Sequence, residues 1–203
     1  MIAIIDYGVG NLFSVEKAFL ALGADVKVTD NAADIAKAEK IVLPGVGAFG
    51  DCMKNLAATG LIPTIKECIS KGTPLLGICV GLQILFEGSE ESPDVKGLGI
   101  LKGYVKKINA PNLKIPHMGW NSLNIAAARQ KVDLYKGLGD KPYVYFVHSY
   151  HAVPSDKNII TATADYGETI TAAVAKGNVQ ATQFHPEKSG DVGLKILKNF
   201  IDG

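Results

Sequence analysis

One cysteine in the sequence has neighbours that suit a nucleophile. Cys79 lies in Gly77–Gly81, after the apolar residues Leu75 and Leu76 and before the apolar stretch Leu82–Phe86. Glycines two positions before and after a nucleophile allow the tight strand-to-helix turn called a nucleophile elbow. The N–H groups and dipole at a helix start favour a thiolate. Taken alone, the same window also fits a buried structural cysteine.

A histidine late in the sequence is a candidate base for this cysteine. His185 follows the apolar stretch Val179–Phe184, and Pro186 and Glu187 come directly after it. A cysteine nucleophile needs a base, and the base needs a group that orients it. The carboxyl ends of parallel strands meet at one edge of a sheet, where such sites gather. We therefore predict that Cys79, His185 and Glu187 lie together.

Two glycine-rich loops follow other apolar stretches. Pro44–Gly47 has the freedom to turn its N–H groups toward a ligand, as an oxyanion hole requires, but it also fits a plain β–α turn. Gly8 and Gly10 begin a dinucleotide-binding pattern, in which Phe13 replaces the third glycine and would crowd the helix against its strand. The sequence contains no Walker-type phosphate loop. A nucleotide-binding module is therefore disfavoured.

The composition excludes several classes of protein. Hydrophobic residues make up 47% of the 203 residues and charged residues 20%, which suits a globular domain with a sizeable core. With 21 basic and 20 acidic side chains, the net charge of +1 predicts neither nucleic acid nor membrane as a partner. No apolar run approaches the roughly 20 residues of a membrane span. The apolar start ends at Asp6, as in a strand and not a signal peptide.

The remaining cysteines and histidines give weaker signals. Cys52 and Cys68 lie in helical patterns and are expected to be small buried hydrophobic residues. Three cysteines without paired spacing predict reduced thiols and a cytoplasmic location. The other histidines are His117, His148 and His151, which have aromatic neighbours but no nearby acidic or cysteine partner. We therefore predict no metal site.

The elements that must position these residues alternate through the first half of the chain. Four short apolar stretches there predict strands separated by helices, at Ile2–Ile5, Val26–Val28, Ile41–Leu43 and Leu75–Ile78. Later stretches predict further short strands and a final helix, at Gly99–Leu101, Tyr104–Ile108, Trp120–Leu123, Tyr143–Val147, Ile159–Ala164, Val179–Phe184 and, for the helix, Val192–Phe200. This order predicts one α/β domain over residues 1–203, with a mostly parallel sheet, helices on both faces and an antiparallel extension.

Together, the loops resemble those of the class I, or triad-type, glutamine amidotransferases, which have a flavodoxin-like fold. Pro44–Gly47 is similar to the family's oxyanion strand, Gly77–Gly81 with Gln83 to its elbow, and His185–Glu187 to the rest of its triad. Within the family, three further stretches resemble the glutaminase subunits of imidazole glycerol phosphate synthases; they are Asp6–Asn11, Pro116–Asn121 and Tyr145–Tyr150.

The resemblance implies an activity and a role for each matching residue. Cys79, His185 and Glu187 would hydrolyse glutamine to glutamate and ammonia with no cofactor and no metal. Backbone N–H groups would form the oxyanion hole, at Gly45, Val46, Gly47 and Val80. Four residues would bind the glutamine α-amino and α-carboxylate groups, namely Gln83, Glu91, Ser149 and Tyr150.

The resemblance also implies a partner. A cyclase subunit, a (β/α)8 barrel on a separate chain, would form a heterodimer with this chain. It would use the ammonia to make imidazole glycerol phosphate and an aminoimidazole carboxamide ribonucleotide in histidine biosynthesis. Asn11, Met118, Trp120 and Lys188 would contact it, although Met118 and Trp120 fit core packing equally well. The alternatives are the glutaminase of another synthase, such as that for pyridoxal phosphate, and a catalytically silent binding module.

Overall fold

The first half of the chain alternates strands and helices. The structure is a computed structural model that describes residues 1–125 and 133–203. Its first elements are β1 (Ile2–Ile5), α1 (Leu12–Ala21), β2 (Val26–Thr29), α2 (Ala32–Lys37), β3 (Lys40–Gly45), α3 (Phe49–Ala58), α4 (Ile62–Ser70), β4 (Leu75–Cys79) and α5 (Val80–Gln83). The predicted strands of this half are confirmed, and the elbow leads into a helix of a single turn.

The second half consists mostly of strands. These are β5 (Gly103–Lys107), β6 (His117–Ser122), β7 (Asn124–Ile125), β8 (Tyr143–His148), β9 (Tyr150–Pro154), β10 (Ile160–Tyr166), β11 (Glu168–Lys176) and β12 (Val179–Thr182). Short 3-10 turns cover Asp133–Tyr135, Lys157–Ile159 and Pro186–Lys188, and the last helix is α6 (Gly190–Asp202). The final helix is thus where the sequence predicts it.

One eight-stranded sheet forms the centre of the molecule. Its strand order is β2-β1-β3-β4-β12-β11-β10-β7. Every pair from β2 to β12 is parallel, and the pairs from β12 onward are antiparallel. The strand order reverses beside β1, so successive right-handed crossovers place helices on opposite faces. The predicted α/β class, with its parallel centre and antiparallel extension, is confirmed.

The central strands are apolar along their whole length because both faces of the sheet are covered. All residues of β1 and of β4 are buried. Two flanking helices are capped by asparagine side chains: Asn11 Oδ1 accepts from the Ser14 N–H at α1, and Asn31 Oδ1 accepts from the Ala33 N–H at α2. These caps fix where each loop at the sheet edge ends.

Three details differ from the sequence-based expectations. Gly99–Leu101 is not a strand, because Gly99 has φ +65° and turns the chain out of extended geometry. The pairs β5–β9 and β6–β8 form separate two-stranded sheets instead of joining the central sheet. Strands β7, β9 and β11 have no counterpart among the predicted elements. Within residues 1–125 and 133–203, no helix is long and apolar enough to span a membrane.

Candidate active site

The sheet register brings the predicted loops together at one edge. Gly45, at the end of β3, pairs with Cys79 at the end of β4. On the other side of β4, Ile78 pairs with Thr182 at the end of β12. The segment containing His185 begins directly after β12. The candidate oxyanion loop, nucleophile and base therefore follow three adjacent strands at the same carboxyl edge.

Cys79 lies at the apex of a strained turn. Its φ of 56° and ψ of −111° make it the one non-glycine residue with a positive φ in the part of the chain that the structure describes. Such a conformation persists only where the surroundings hold it. Here the packing requires glycine: a Cβ on Gly81 would collide with the Leu43 carbonyl, and a Cβ on Gly77 would lie 3.0 Å from the Gly81 carbonyl oxygen. The predicted nucleophile elbow is present in geometry.

His185 and Glu187 form a buried pair. The His185 Nδ1 atom lies 2.7 Å from Glu187 Oε1, and both side chains are almost fully buried. The Ser189 hydroxyl donates to the His185 carbonyl and accepts from the Tyr145 N–H, which fixes the loop. A carboxylate at Nδ1 favours the tautomer with its proton on Nδ1 and stabilises the charged ring.

The other ring nitrogen of His185 is left free by the residues that the structure describes, and His185 lines a cavity. Nε2 is buried and has no hydrogen-bond partner among residues 1–125 and 133–203. The Cys79 sulfur is nevertheless close enough to act on the charge of the ring. Burial opposes that charge, but the Cys79 sulfur and the Glu187 carboxylate outweigh it and raise the pKa of the His185 imidazole to about 10. The ring therefore carries its second proton at neutral pH.

A cavity of about 670 Å³ opens beside these residues. Its walls include most of the residues that the sequence assigns to catalysis, glutamine binding and the partner, namely Asn11, Val46, Gly47, Cys79, Val80, Gln83, Glu91, Ser149, Tyr150, His185 and Lys188. The volume suits a small molecule such as an amino acid. The structure thus brings together loops from both halves of the chain around one space.

The four residues predicted to bind glutamine all line the cavity, and the side chains of Glu91 and Gln83 make hydrogen bonds within the protein. Glu91 Oε2 accepts a hydrogen bond from the Phe49 N–H at the start of α3. Gln83 Nε2 donates to the Tyr150 carbonyl at 3.0 Å. Ser149 lies between His148 and Tyr150, where β8 passes into β9. Their roles toward a substrate remain predictions.

Two buried side chains donate hydrogen bonds to carbonyl groups of the loop predicted to form an oxyanion hole. The Tyr7 hydroxyl donates to the Pro44 carbonyl at 2.6 Å, and the Cys52 thiol donates to the Val46 carbonyl at 3.3 Å. Cys52 is buried, as predicted, and burial raises its pKa to about 11, so it stays a neutral donor. Gly47 has a φ of +89°. Opposite this loop, Val80 begins α5, where the first N–H groups of a helix have no intrahelical acceptor.

Of the residues predicted to contact a partner, Asn11 and Lys188 line the cavity, whereas Met118 and Trp120 lie on β6 and are not part of its lining. Met118 and Trp120 are 61% and 56% exposed, so core packing is the wrong interpretation for both. They share one face of β6, because strand residues two apart point the same way. Trp120 packs edge-on against Tyr145, and the Lys188 ammonium lies 6.0 Å from the Tyr145 ring centre. Phe13, expected to crowd the packing of α1, is instead 68% exposed.

The structure adds residues that the sequence did not assign. Gln183 is fully buried, and its side-chain Nε2 lies 3.8 Å from the Cys79 sulfur. His117 and His148 form a buried pair at 2.9 Å. The position of Gln183 directly after β12 was a signal that sequence reasoning passed over. In the described ranges, no three histidine, cysteine or acidic side chains are grouped to hold a metal ion.

The family profile described as glutamine amidotransferase class-I matches residues 3–202. Two curated relatives are imidazole glycerol phosphate synthase subunits. HisH of Syntrophotalea carbinolica is 51% identical over 208 residues, covering 100% of both chains. HisH 1 of Methanococcus maripaludis is 50% identical over 206 residues, covering 100% of this chain and 99% of its own.

Solved structures with low sequence identity share the fold. PurLQS from Thermotoga maritima superposes with a TM-score of 0.77 at 22% identity, covering 99% of this chain and 97% of that one. A structure described as a glutamine amidotransferase gives a TM-score of 0.76 at 20% identity, covering 98% and 99%. These similarities extend over nearly the whole chain.

Proposed function

Because the chain belongs to the class-I glutamine amidotransferase family and, within it, to the HisH subunits of imidazole glycerol phosphate synthase, we propose that it hydrolyses glutamine for a partner subunit. The products are glutamate and ammonia, and the ammonia passes to the synthase in histidine biosynthesis. The buried His185–Glu187 pair beside Cys79 at the cavity carries this proposal. The curated relatives disfavour a glutaminase of another synthase.

In the proposed reaction, the Cys79 sulfur attacks the side-chain amide carbon of glutamine. His185 already holds the proton taken from the Cys79 thiol, since its pKa is raised to about 10, and it gives this proton to the leaving nitrogen, so that ammonia departs and a γ-glutamyl thioester remains. Water then attacks the thioester, with His185 taking a proton from it and returning one to sulfur. Glu187 keeps the imidazole oriented and stabilises its positive charge. The chemistry calls for no cofactor.

The negative charge on the tetrahedral intermediate needs hydrogen-bond donors. The N–H of Val80 and those of the Gly45–Gly47 loop are the proposed donors, since both segments border the cavity beside Cys79. Loss of one such donor costs about 3 kcal/mol of transition-state stabilisation in comparable sites. Glu91, Gln83, Ser149 and Tyr150 are proposed to hold the glutamine α-amino and α-carboxylate groups.

The proposed partner is a cyclase subunit, a (β/α)8 barrel on a separate chain that forms a heterodimer with this one. Ammonia in open water is mostly ammonium, which is not a nucleophile, so delivery through a closed passage is an advantage. The exposed Met118 and Trp120 supply an apolar surface for such a partner. Trp120 packs on Tyr145, whose ring the cavity-lining Lys188 also approaches, and Asn11 lines the same cavity. The cytoplasmic location belongs to the same proposal, supported by three free cysteines.

Replacement of Cys79 by alanine tests the proposal. In the complex with its synthase partner, we expect C79A to abolish synthesis from glutamine and to leave synthesis from added ammonium salts near the wild-type rate. Ammonia-dependent synthesis controls for folding and assembly, because it needs the complex but not the nucleophile. Glutamine-dependent synthesis that survives in C79A would refute the assignment of the nucleophile.

A further inference from the structure

We propose that Gln183 is a further catalytic residue, whose side-chain amide donates a hydrogen bond to the Cys79 sulfur and stabilises the thiolate. The inference rests on the proposed function, in which Cys79 is the nucleophile. Gln183 Nε2 lies 3.8 Å from Cys79 Sγ, within the range of hydrogen bonds to sulfur. The Gln183 side chain is fully buried, so its amide group must find partners inside the protein.

The orientation of the Gln183 amide follows from its neighbours. Gln83 Nε2 donates both to the Tyr150 carbonyl at 3.0 Å and to Gln183 Oε1 at 3.1 Å. A carbonyl oxygen only accepts, so the Gln83 atom facing Tyr150 must be its nitrogen. That nitrogen in turn requires the oxygen of the Gln183 amide on its side. The Gln183 nitrogen therefore faces the sulfur.

A buried histidine pair holds the other end of this network. Asn121 Nδ2 lies 3.2 Å from His117 Nε2, His117 Nδ1 lies 2.9 Å from His148 Nε2, and His148 Nδ1 lies 2.9 Å from the Tyr150 carbonyl. Since Asn121 Nδ2 also donates to the Asp165 carbonyl, it must be the amide nitrogen. His117 then accepts at Nε2 and donates from Nδ1, and His148 does the same.

Both histidines remain neutral, as this chain of donors requires. Burial lowers the pKa of His117 to about 4 and that of His148 to about 3. The Tyr150 carbonyl thus receives two donors, from His148 and Gln83, which fixes its position. The network runs from the strand that carries Met118 and Trp120 to the sulfur of Cys79. Donation runs from Asn121 through the two histidines to the Tyr150 carbonyl, and on the other side of that carbonyl from Gln83 through Gln183 to the sulfur.

A donor at this point acts on the nucleophile directly. An amide N–H facing sulfur is a better partner for a thiolate than for a thiol, because the negative charge strengthens the hydrogen bond. Other titratable groups near Cys79 come from three further segments: His185 and Glu187 after β12, Tyr7 after β1, and Cys52 from α3. Of these, His185 is the cation, and Gln183 adds a neutral donor that works alongside it.

The rate of Cys79 alkylation by iodoacetamide as a function of pH tests the proposal. The adduct is quantified by mass spectrometry of the Cys79 peptide, which separates it from Cys52 and Cys68. For Gln183→Met, we expect the midpoint of the profile to rise by about one pH unit, a tenfold lower rate below the midpoint. For Gln183→Glu, which sets an anion against the sulfur, we expect a larger rise.

Gln180→Met is the matched control. Gln180 lies on β12 three residues earlier, where its buried Oε1 has no partner in the described part of the chain and its side chain borders a different cavity. Its profile should match the wild type. A Gln183→Met profile that coincides with the wild type would overturn the proposal; if that variant does not fold, an unshifted profile for Gln183→Glu would do so.

The alkylation experiment separates this inference from the proposed function. It requires neither glutamine nor a partner subunit, because it reports only the ionisation of the Cys79 thiol. A shifted profile in a protein that does not hydrolyse glutamine would support Gln183 as a donor and refute the glutaminase assignment. An unshifted profile in an active glutaminase would refute Gln183 as a donor and leave the glutaminase assignment in place.

Discussion

Two groups of residues around the cavity differ in how deeply they are buried. We call the interior wall the cavity-lining residues Cys79, Gln83 and His185 together with Gln183 and Glu187, which contact them, and all five side chains are almost fully buried. The rim comprises Asn11, Met118, Trp120 and Lys188. Met118 and Trp120 expose more than half of their surface. The interior wall is complete within one chain, whereas the rim presents an apolar surface to its surroundings.

This difference separates chemistry from assembly. Hydrogen bonds fix the wall residues, both between segments far apart in sequence, as from Gln83 to Gln183, and within one segment, as between His185 and Glu187. In the rim, Trp120 packs edge-on against Tyr145, and the Lys188 ammonium lies 6.0 Å from the centre of the same ring. Changes in the wall should therefore alter the reaction of Cys79 directly. Changes in the rim should alter partner binding and leave the reactivity of the thiol intact.

The largest effect is expected in the wall, for Glu187→Gln. Without the carboxylate, His185 loses its orienting partner, and glutamine hydrolysis by the complex should fall on the order of 10⁴-fold, as in comparable triads. The measurement is the glutaminase rate at saturating glutamine. Ammonia-dependent synthesis should persist as the control for assembly. A rate within tenfold of the wild type would mean that Glu187 is not the orienting group.

The same pair predicts the pH dependence. The His185 pKa of about 10 is raised above the ordinary histidine value, so the ring keeps its proton at lower pH and loses it as pH rises through that value. We expect the alkaline decline of glutaminase activity near that pH. The contribution of the His185–Glu187 pair to the free energy of unfolding should be lost as pH rises through the same value. In Glu187→Gln, the decline should move to lower pH; an unmoved decline would contradict this account of the pKa.

Gly45→Ala should destabilise the packing beside Cys79. An added Cβ would lie 2.7 Å from the Gly81 nitrogen and 2.9 Å from the Tyr7 hydroxyl. Such overpacking costs about 1–3 kcal/mol, measured as the free energy of unfolding in urea. Gly139→Ala is the control, since nothing lies within 4 Å of its Cβ. Equal stability of the two variants would show that the elbow and the loop tolerate displacement.

Trp120→Ala tests the rim. An exposed tryptophan at an interface commonly contributes about 2 kcal/mol, so binding to the cyclase should weaken about 30-fold in isothermal calorimetry. The alkylation profile of Cys79 should stay unchanged. Val153→Ala serves as the control, because Val153 is also exposed but borders a different cavity. Full affinity in Trp120→Ala would place the interface elsewhere.

The smallest effect is expected below the oxyanion loop. Cys52→Ala removes the donor to the Val46 carbonyl, which should lower the glutaminase rate by several-fold, since such hydrogen bonds contribute about 0.5–1.5 kcal/mol. Cys52→Ser restores a donor and should recover part of the rate. If serine and alanine behave alike, the thiol contributes packing alone.

Local rules explain what the sequence could predict. The elbow at Gly77–Gly81 follows from glycine spacing, and His185 from its place after an apolar strand. The fold class follows from strands separated by helices. Each of these patterns is contained in a stretch of about ten residues. They also predicted that Cys79 and His185 would share a sheet edge, because parallel strands of one sheet end together.

Long-range contacts explain what the sequence did not reveal. The role of Gln183 depends on Gln83, Tyr150 and Cys79, which belong to other segments of the chain. Strand β11 was missed because five consecutive residues within it are buried, two of them alanine, and no alternation of apolar and polar residues results. The sequence did not decide whether Met118 and Trp120 are exposed, because an apolar residue fits a core or an interface equally well.

The most direct test of the account is covalent labelling of the chain with a glutamine analogue that carries an electrophilic chloroketone, read by peptide mass spectrometry in the presence of the cyclase partner. We expect one adduct, on Cys79, that excess glutamine prevents. Cys52 and Cys68, buried away from the cavity walls, should stay unmodified. Absence of a Cys79 adduct, or an adduct that glutamine does not suppress, would contradict the central claim that Cys79 attacks the amide of glutamine.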